Sequence, residues 1–201
     1  MATARTVPPK TTIRKTRLDT APEETESESP RLLAPVNPDR DHIQGPLTAI
    51  LTLVEYGDYQ CPYCGAAYPE VKRVQKELGS RLKFVFRNFP LTRIHEYAMN
   101  VAETAEAAAA QGKFWEMHDF LYEHQATLGD PGVALGYAKK LGLNTQRIER
   151  ELNQHSYQAR VKEDFEGGIR SGVNGTPTFY VNGIRHDGPA ISKELVKALK
   201  Q

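Results

Sequence analysis

AILTLVEYGDYQCPYCGAAYPEVKRVQKELG, residues 49–79, is the stretch whose reading decides the fold. Its first eight residues, Ala49 to Tyr56, are apolar and rich in β-favouring types, the pattern of a buried strand. GDYQ is a loop, and Cys61-Pro62-Tyr63-Cys64 follows it. Val71, Val74 and Leu78 then recur at helical spacing, with Gly79 as a C-terminal stop. Pro62 suits an early helical position, where its missing N–H costs nothing, whereas Pro69 lies inside the helix and predicts a kink. LKFVFRNFP, residues 82–90, reads as a second strand with alternating Leu82, Phe84 and Phe86. Strand, helix and strand in this order form a βαβ unit, which implies parallel pairing and a right-handed crossover. The fold class is α/β.

Downstream, residues 95–165 hold only helical text, from the Ala-rich HEYAMNVAETAEAAAAQ through FWEMHDFLYEHQ to YQARVKEDFEGG. This is too much helix for a crossover and predicts an inserted helical subdomain over about 94–165. Within it Phe114, Trp115, Met117, Phe120 and Leu121 read as core, and His118 and His124 as solvent-facing. Strand text returns at TPTFYVNG, residues 176–183. Asn182-Gly183 signals a hairpin into IRHDG. Ser192 is placed to cap a final helix, SKELVKALK. Upstream, seven of the 13 prolines fall in residues 1–46 and the first aromatic is Tyr56. Such a segment cannot offset the entropy of its own ordering, so residues 1–45 are expected to be a disordered extension and residues 46–201 the folded domain.

The 201 residues carry 26 Lys+Arg against 25 Asp+Glu, a balance that argues against a dedicated nucleic-acid binder. No run approaches a membrane-spanning length, and MATARTVPPK lacks the apolar core of a secretory signal, so the expected location is cytoplasmic. Two cysteines exclude a disulfide-rich scaffold. Both lie in one Cys-x-x-Cys at a strand-to-helix junction. A structural disulfide closing so short a loop would stabilise little. A structural zinc needs four ligands, and the six histidines show no paired ligand spacing. A redox dithiol fits best, because positions i and i+3 on a first helical turn bring two sulfurs within reach. Cys61, expected to be exposed at the helix N-terminus, meets unpaired N–H groups that favour an anion and lower its pKa. Cys64, one turn deeper, is the resolving thiol.

These features resemble the DsbA family of thioredoxin-fold proteins over about residues 47–201. The resemblance is carried by Glu55 six residues before Cys61, Cys-Pro-Tyr-Cys, Pro69 five residues after Cys64, Phe114-Trp115-Glu116-Met117 in a long insertion, and Gly175-Thr176-Pro177-Thr178. It implies a thioredoxin fold, a central mixed β-sheet flanked by helices with an inserted helical subdomain. It further implies that Pro177 is a cis-proline facing the cysteines, that Thr176 offers its backbone to an extended substrate, and that Glu55 assists proton transfer at Cys64. An acid buried in LTLVEYG would have a raised pKa; the alternative is a strand end open to water. Asp58 reads as a loop cap. The family's typical oxidase has a histidine where Tyr63 stands, which removes one source of thiolate stabilisation and implies a less oxidising couple, so Pro62 and Tyr63 are expected to tune the site.

The implied activity is thiol–disulfide exchange with protein or small-thiol substrates, with no bound cofactor, no metal and a redox partner that recycles the dithiol. Two other readings stay open. One is a glutathione-linked isomerase or transferase of the same architecture, and the other a non-catalytic binding or chaperone module.

Overall fold

The computed structural model describes Met1 and residues 29–201. The expectation of a disordered extension therefore lies outside the described residues over positions 2–28. Among the described residues the chain runs β1 (His42–Gln44), β2 (Leu51–Gly57), α1 (Pro62–Leu78), β3 (Leu82–Asn88), α2 (Ala98–Ala109), α3 (Phe114–Glu123), α4 (Pro131–Lys140), α5 (Thr145–Asn153), α6 (Gln158–Arg170), β4 (Thr178–Val181), β5 (Ile184–His186) and α7 (Ser192–Leu199). The strands form one sheet in the order β1-β3-β2-β4-β5. β2 and β3 pair in parallel, as the strand–helix–strand text requires, and the remaining pairs are antiparallel. The sheet is thus mixed, and the fold is the thioredoxin-like α/β arrangement that was expected. Asn182 and Gly183 take positive φ values of 49° and 85° and turn β4 into β5.

Side chains alternate across the sheet. Leu53, Phe84, Phe86, Phe179 and Val181 face a core completed by Cys64, Val71 and Val74 of α1, Met117 and Leu121 of α3, and Leu195 of α7. Val54, Tyr56, Val85 and Tyr180 face the other way, against Phe165 of α6 and Leu32 and Val36. The expected subdomain boundary at residue 165 falls inside α6, whose Phe165 stacks on Phe89 at 4.3 Å. The last helix of the insertion is therefore also a cover for the sheet. Ser192 is the first helical residue of α7 rather than its cap. Glu70 of α1 supplies that function by accepting the Ser192 N–H at 2.8 Å.

The domain boundary at residue 46 is also corrected. His42–Gln44 pair with Phe84–Phe86 as the edge strand. Arg31 bridges to Ile184, and the Leu32 N–H donates to the Gly183 carbonyl. The fully buried Arg87 of β3 donates to both oxygens of Asp41, to the Ala34 and Pro35 carbonyls and to the Tyr56 hydroxyl, at 2.8–3.1 Å. Burial works to raise the Asp41 carboxyl, yet the hydrogen bonds and charge of Arg87 hold it below the usual carboxylate range. Backbone ladders and one buried ion pair fix this segment, so apolar content was a poor guide to its order. Replacing Asp41 by Ala leaves the Arg87 charge buried without its counter-ion. The expected loss in urea unfolding is about 3–5 kcal/mol, with Asp41→Asn falling between. A loss under about 1 kcal/mol would show that the segment is not anchored through Arg87.

Candidate active site

The site forms where β2 ends and α1 begins. Cys61 is the N-cap of α1, with φ −72° and ψ 119°, and Pro62 starts the helix. Its carbonyl accepts the Gly65 N–H at 3.1 Å. The first-turn N–H groups have no intrahelical partner, so they and the macrodipole favour negative charge at this sulfur. The Cys61 thiol donates to the Thr176 carbonyl at 3.3 Å, and the Thr176–Pro177 peptide is cis. Sequence-distant elements therefore converge here, the loop before β4 lying against the start of α1.

Both cysteines are free thiols. Cys64 is wholly buried, and its sulfur accepts the Asp58 N–H at 3.5 Å. Cys61 is only 3% exposed, which corrects the expectation of an open sulfur. Tyr63, by contrast, projects outward at 75% exposure. Beside the dithiol runs a groove of about 430 Å³ lined by Tyr63, Ala66, Glu70, Thr176, Pro177 and Ile191. The Cys64 thiol's hydrogen bond, together with Thr176 and the Tyr63 and Cys64 amides, outweighs burial and brings Cys61 down to about 5. Burial, the hydrogen bond to Cys61 and the charges of Glu55 and Cys61 push the Cys64 thiol up. The two sulfurs are thus polarised in opposite directions, one toward thiolate and one toward thiol.

Glu55 is 2% exposed, on the same face of β2 as Leu53, and its Oε1 has no hydrogen-bond partner. Burial, with the negative charge at Cys61, pushes its carboxyl up to about 8. The strand-end alternative, open to water, is excluded. Asp58 is the loop cap that the sequence suggested. One of its oxygens accepts the Gln60 N–H at 2.8 Å and the other the Leu91 N–H at 2.8 Å and His95 Nδ1 at 2.7 Å.

Four contributors were not visible in the sequence. Gln125, just beyond α3, donates through Nε2 to the Tyr59 and Cys61 carbonyls, each at 2.8 Å. Tyr59 and His118 hydrogen-bond at 3.1 Å inside an aromatic cluster. His118 is 3% exposed, not solvent-facing, and burial holds its pKa well below the usual imidazole value. Tyr122 brings a buried hydroxyl without a partner. Helical spacing places such residues on an inward face, but only the packing of α3 against the β2–α1 loop reveals what they meet. Among the described residues no three His, Cys, Asp or Glu side chains gather into a metal site, and no helix is long and apolar enough to cross a membrane.

Because Glu55 has a folded pKa near 8 against an ordinary 4.5, its neutral form favours folding below pH 4.5. That contribution is lost as pH rises through 8. Relative to wild type, the reduced Glu55→Gln protein should therefore gain stability between pH 4.5 and 8 and level off above. The gain amounts to a few kcal/mol at about 1.4 kcal/mol per pKa unit. Urea unfolding at pH 4, 6 and 8.5 measures it, and a pH-independent difference would contradict the assignment.

Comparison with known proteins agrees with this architecture. A thioredoxin-like oxidoreductase from Silicibacter pomeroyi superposes with a TM-score of 0.71 at 26% identity, covering 82% of this chain and 96% of that one. BdbD from Bacillus subtilis gives 0.72 at 23% identity, over 87% and 97% of the two chains. Alpha-DsbA1 of Wolbachia pipientis gives 0.71 at 17% identity, over 84% and 92%. Among curated proteins, an Na(+)/H(+) antiporter NhaA 1 of Salinispora arenicola is 49% identical over 157 residues, which are 78% of this chain and 24% of that protein. The chain spans about a quarter of the length of the curated relatives it matches. A family model described as Thioredoxin matches residues 37–201, and with its DsbA-like fold the chain belongs to the thioredoxin family.

Proposed function

We propose that the chain is a thiol–disulfide oxidoreductase acting through Cys61 and Cys64. The observation that carries this reading is the opposed polarisation of two free thiols one helical turn apart, the outer at an N-cap and the inner beside a buried acid. In the reductive direction the Cys61 thiolate attacks one sulfur of a substrate disulfide. The Cys61–substrate bond forms, the substrate S–S bond breaks, and the first substrate thiolate leaves and takes a proton from water. Cys64 then loses its proton to Glu55 and attacks Cys61 Sγ, which releases the second substrate thiolate. Two protein thiols have been oxidised to a disulfide and one substrate disulfide reduced to two thiols. Run backward, the same steps donate a disulfide.

The Thr176–Pro177 turn and the adjacent groove support a protein substrate laid in extended form along the half-buried Thr176, with Tyr63 and Ala66 forming the opposite lip. The exchange chemistry itself needs only the cysteine pair, and a second thiol or disulfide must return it to its starting state. The antiport activity in the curated relatives' names concerns those longer proteins. Those names carry nothing about the activity of this chain.

Replacing Cys64 by Ser should trap a mixed disulfide at Cys61 with a substrate protein and abolish turnover, whereas Cys61→Ser should trap none. Turnover that survives in Cys64→Ser would instead favour glutathione-linked transfer. A Cys61 thiolate near 5 lies between the roughly 3.5 and 7 of strongly oxidising and reducing dithiols. Equilibration with glutathione should therefore give a potential between about −120 and −270 mV. A value outside that interval would contradict the link between thiolate stability and redox poise.

A further inference from the structure

Strand β2 reverses its side chains at every residue, so Glu55 and Gly57 share the face that carries Phe86. Gly57 has no side chain, and the space it leaves is occupied. A Cβ there would stand 2.8 Å from the Tyr122 hydroxyl and 2.5 Å from the Phe86 ring. The neighbouring Asp58 N–H points at Cys64 Sγ. The end of β2 thus collects three groups on one side: the Glu55 carboxyl, the Cys64 thiol and the Tyr122 hydroxyl delivered by α3. Tyr122 is held in place by its ring, which lies 5.0 Å from Tyr59, 5.3 Å from Tyr68 and edge-on to Phe86 at 6.2 Å. Its hydroxyl and Glu55 Oε1 are both buried and both lack a partner. A buried, unsatisfied polar atom is costly, and these two lie within electrostatic reach of the same buried thiol and of each other.

We infer that Tyr122 is a positioning residue for Glu55, its hydroxyl donating to the ionised carboxylate, directly or through one water, and so setting how readily Glu55 takes the Cys64 proton. This rests on the Glu55 role proposed above and deepens it. The titratable groups around Glu55 are Cys61 and Cys64 of α1, Tyr59 and Asp58 of the loop, and Tyr122 of α3, while its ladder neighbours Phe86 and Phe179 are apolar. Asp58 is already engaged by Leu91 and His95, and the Tyr59 hydroxyl by His118. That leaves the Tyr122 hydroxyl as the group in this set free to donate. It also accounts for glycine at position 57, since any side chain would displace the hydroxyl.

The test is stopped-flow oxidation of the reduced full chain by 5,5′-dithiobis(2-nitrobenzoate) between pH 5 and 10. The fast release of chromophore reports attack by Cys61, and the second release reports closure by Cys64. Tyr122→Phe removes one oxygen and should leave the first phase unchanged. Loss of a hydrogen bond to the carboxylate raises the proton affinity of Glu55, so the pH midpoint of the second phase should move up by about 1 unit. Below that midpoint closure should slow about tenfold. Glu55→Gln should abolish the midpoint, and adding Tyr122→Phe to it should change nothing further. If Glu55→Gln alters the profile and Tyr122→Phe does not, the Tyr122 inference is wrong and the Glu55 reading stands. If neither alters it, both fail. Should Tyr122→Phe not fold, the Tyr122 ¹³Cζ resonance of the wild-type protein serves instead. It should titrate together with the Glu55 carboxyl, and a flat resonance overturns the inference.

Discussion

The unpaired amides at the start of α1 must be satisfied by something, and the chain places a sulfur there instead of the usual hydroxyl or carboxylate cap. A thiol at an N-cap is a weak acceptor, but a thiolate is a strong one, so the helix stabilises the ionised form of Cys61. The buried Cys64 thiol adds a donor to the sulfur, whereas the Thr176 carbonyl accepts from the neutral thiol and holds the loop before β4 against it. Because Cys64 is excluded from water, it cannot share the charge. The asymmetry that exchange chemistry requires therefore follows from where a helix begins and how deep its first turn is sunk.

That placement depends on the helical insertion. The four-residue loop between β2 and α1 is tied to it at each end, through Asp58 to His95, Gln60 to Tyr97, and Gln125 to the Tyr59 and Cys61 carbonyls. An aromatic cluster of Tyr59, Phe86, Trp115, His118 and Tyr122 fills the space beneath. The insertion is thus a clamp on the N-cap that shares its core with the sheet. Its contacts fix the loop that carries Cys61.

The sequence was most legible where structure is local. The strand–helix–strand unit, the helical tract and the Asn182-Gly183 turn are written in periodicity and backbone preference, and the β2–β3 ladder follows from them. The Cys-x-x-Cys could be singled out by residue type and spacing, and Glu55 and the Thr176–Pro177 turn by the resemblance to the DsbA family. Features fixed by distant partners were misread. Residues 30–45 look too polar to order, yet a ladder to β3 and the Arg87–Asp41 pair hold them. His118 reads as a surface residue until its ring is found among aromatics. Ser192 looks like a cap, but a carboxylate 122 positions away does the work. In each case the deciding contact is long-range, which a pattern confined to one window cannot contain.

The central claim is that Cys61 is held as a thiolate by the Cys64 thiol and the free amides at the head of α1. Absorbance near 240 nm, followed in the reduced Cys64→Ser and wild-type proteins as pH is lowered, reads that ionisation directly. The account predicts a wild-type midpoint near 5, with a higher one in Cys64→Ser if the serine donates less strongly to the sulfur. A wild-type midpoint near 9, the value of an unperturbed thiol, would contradict it.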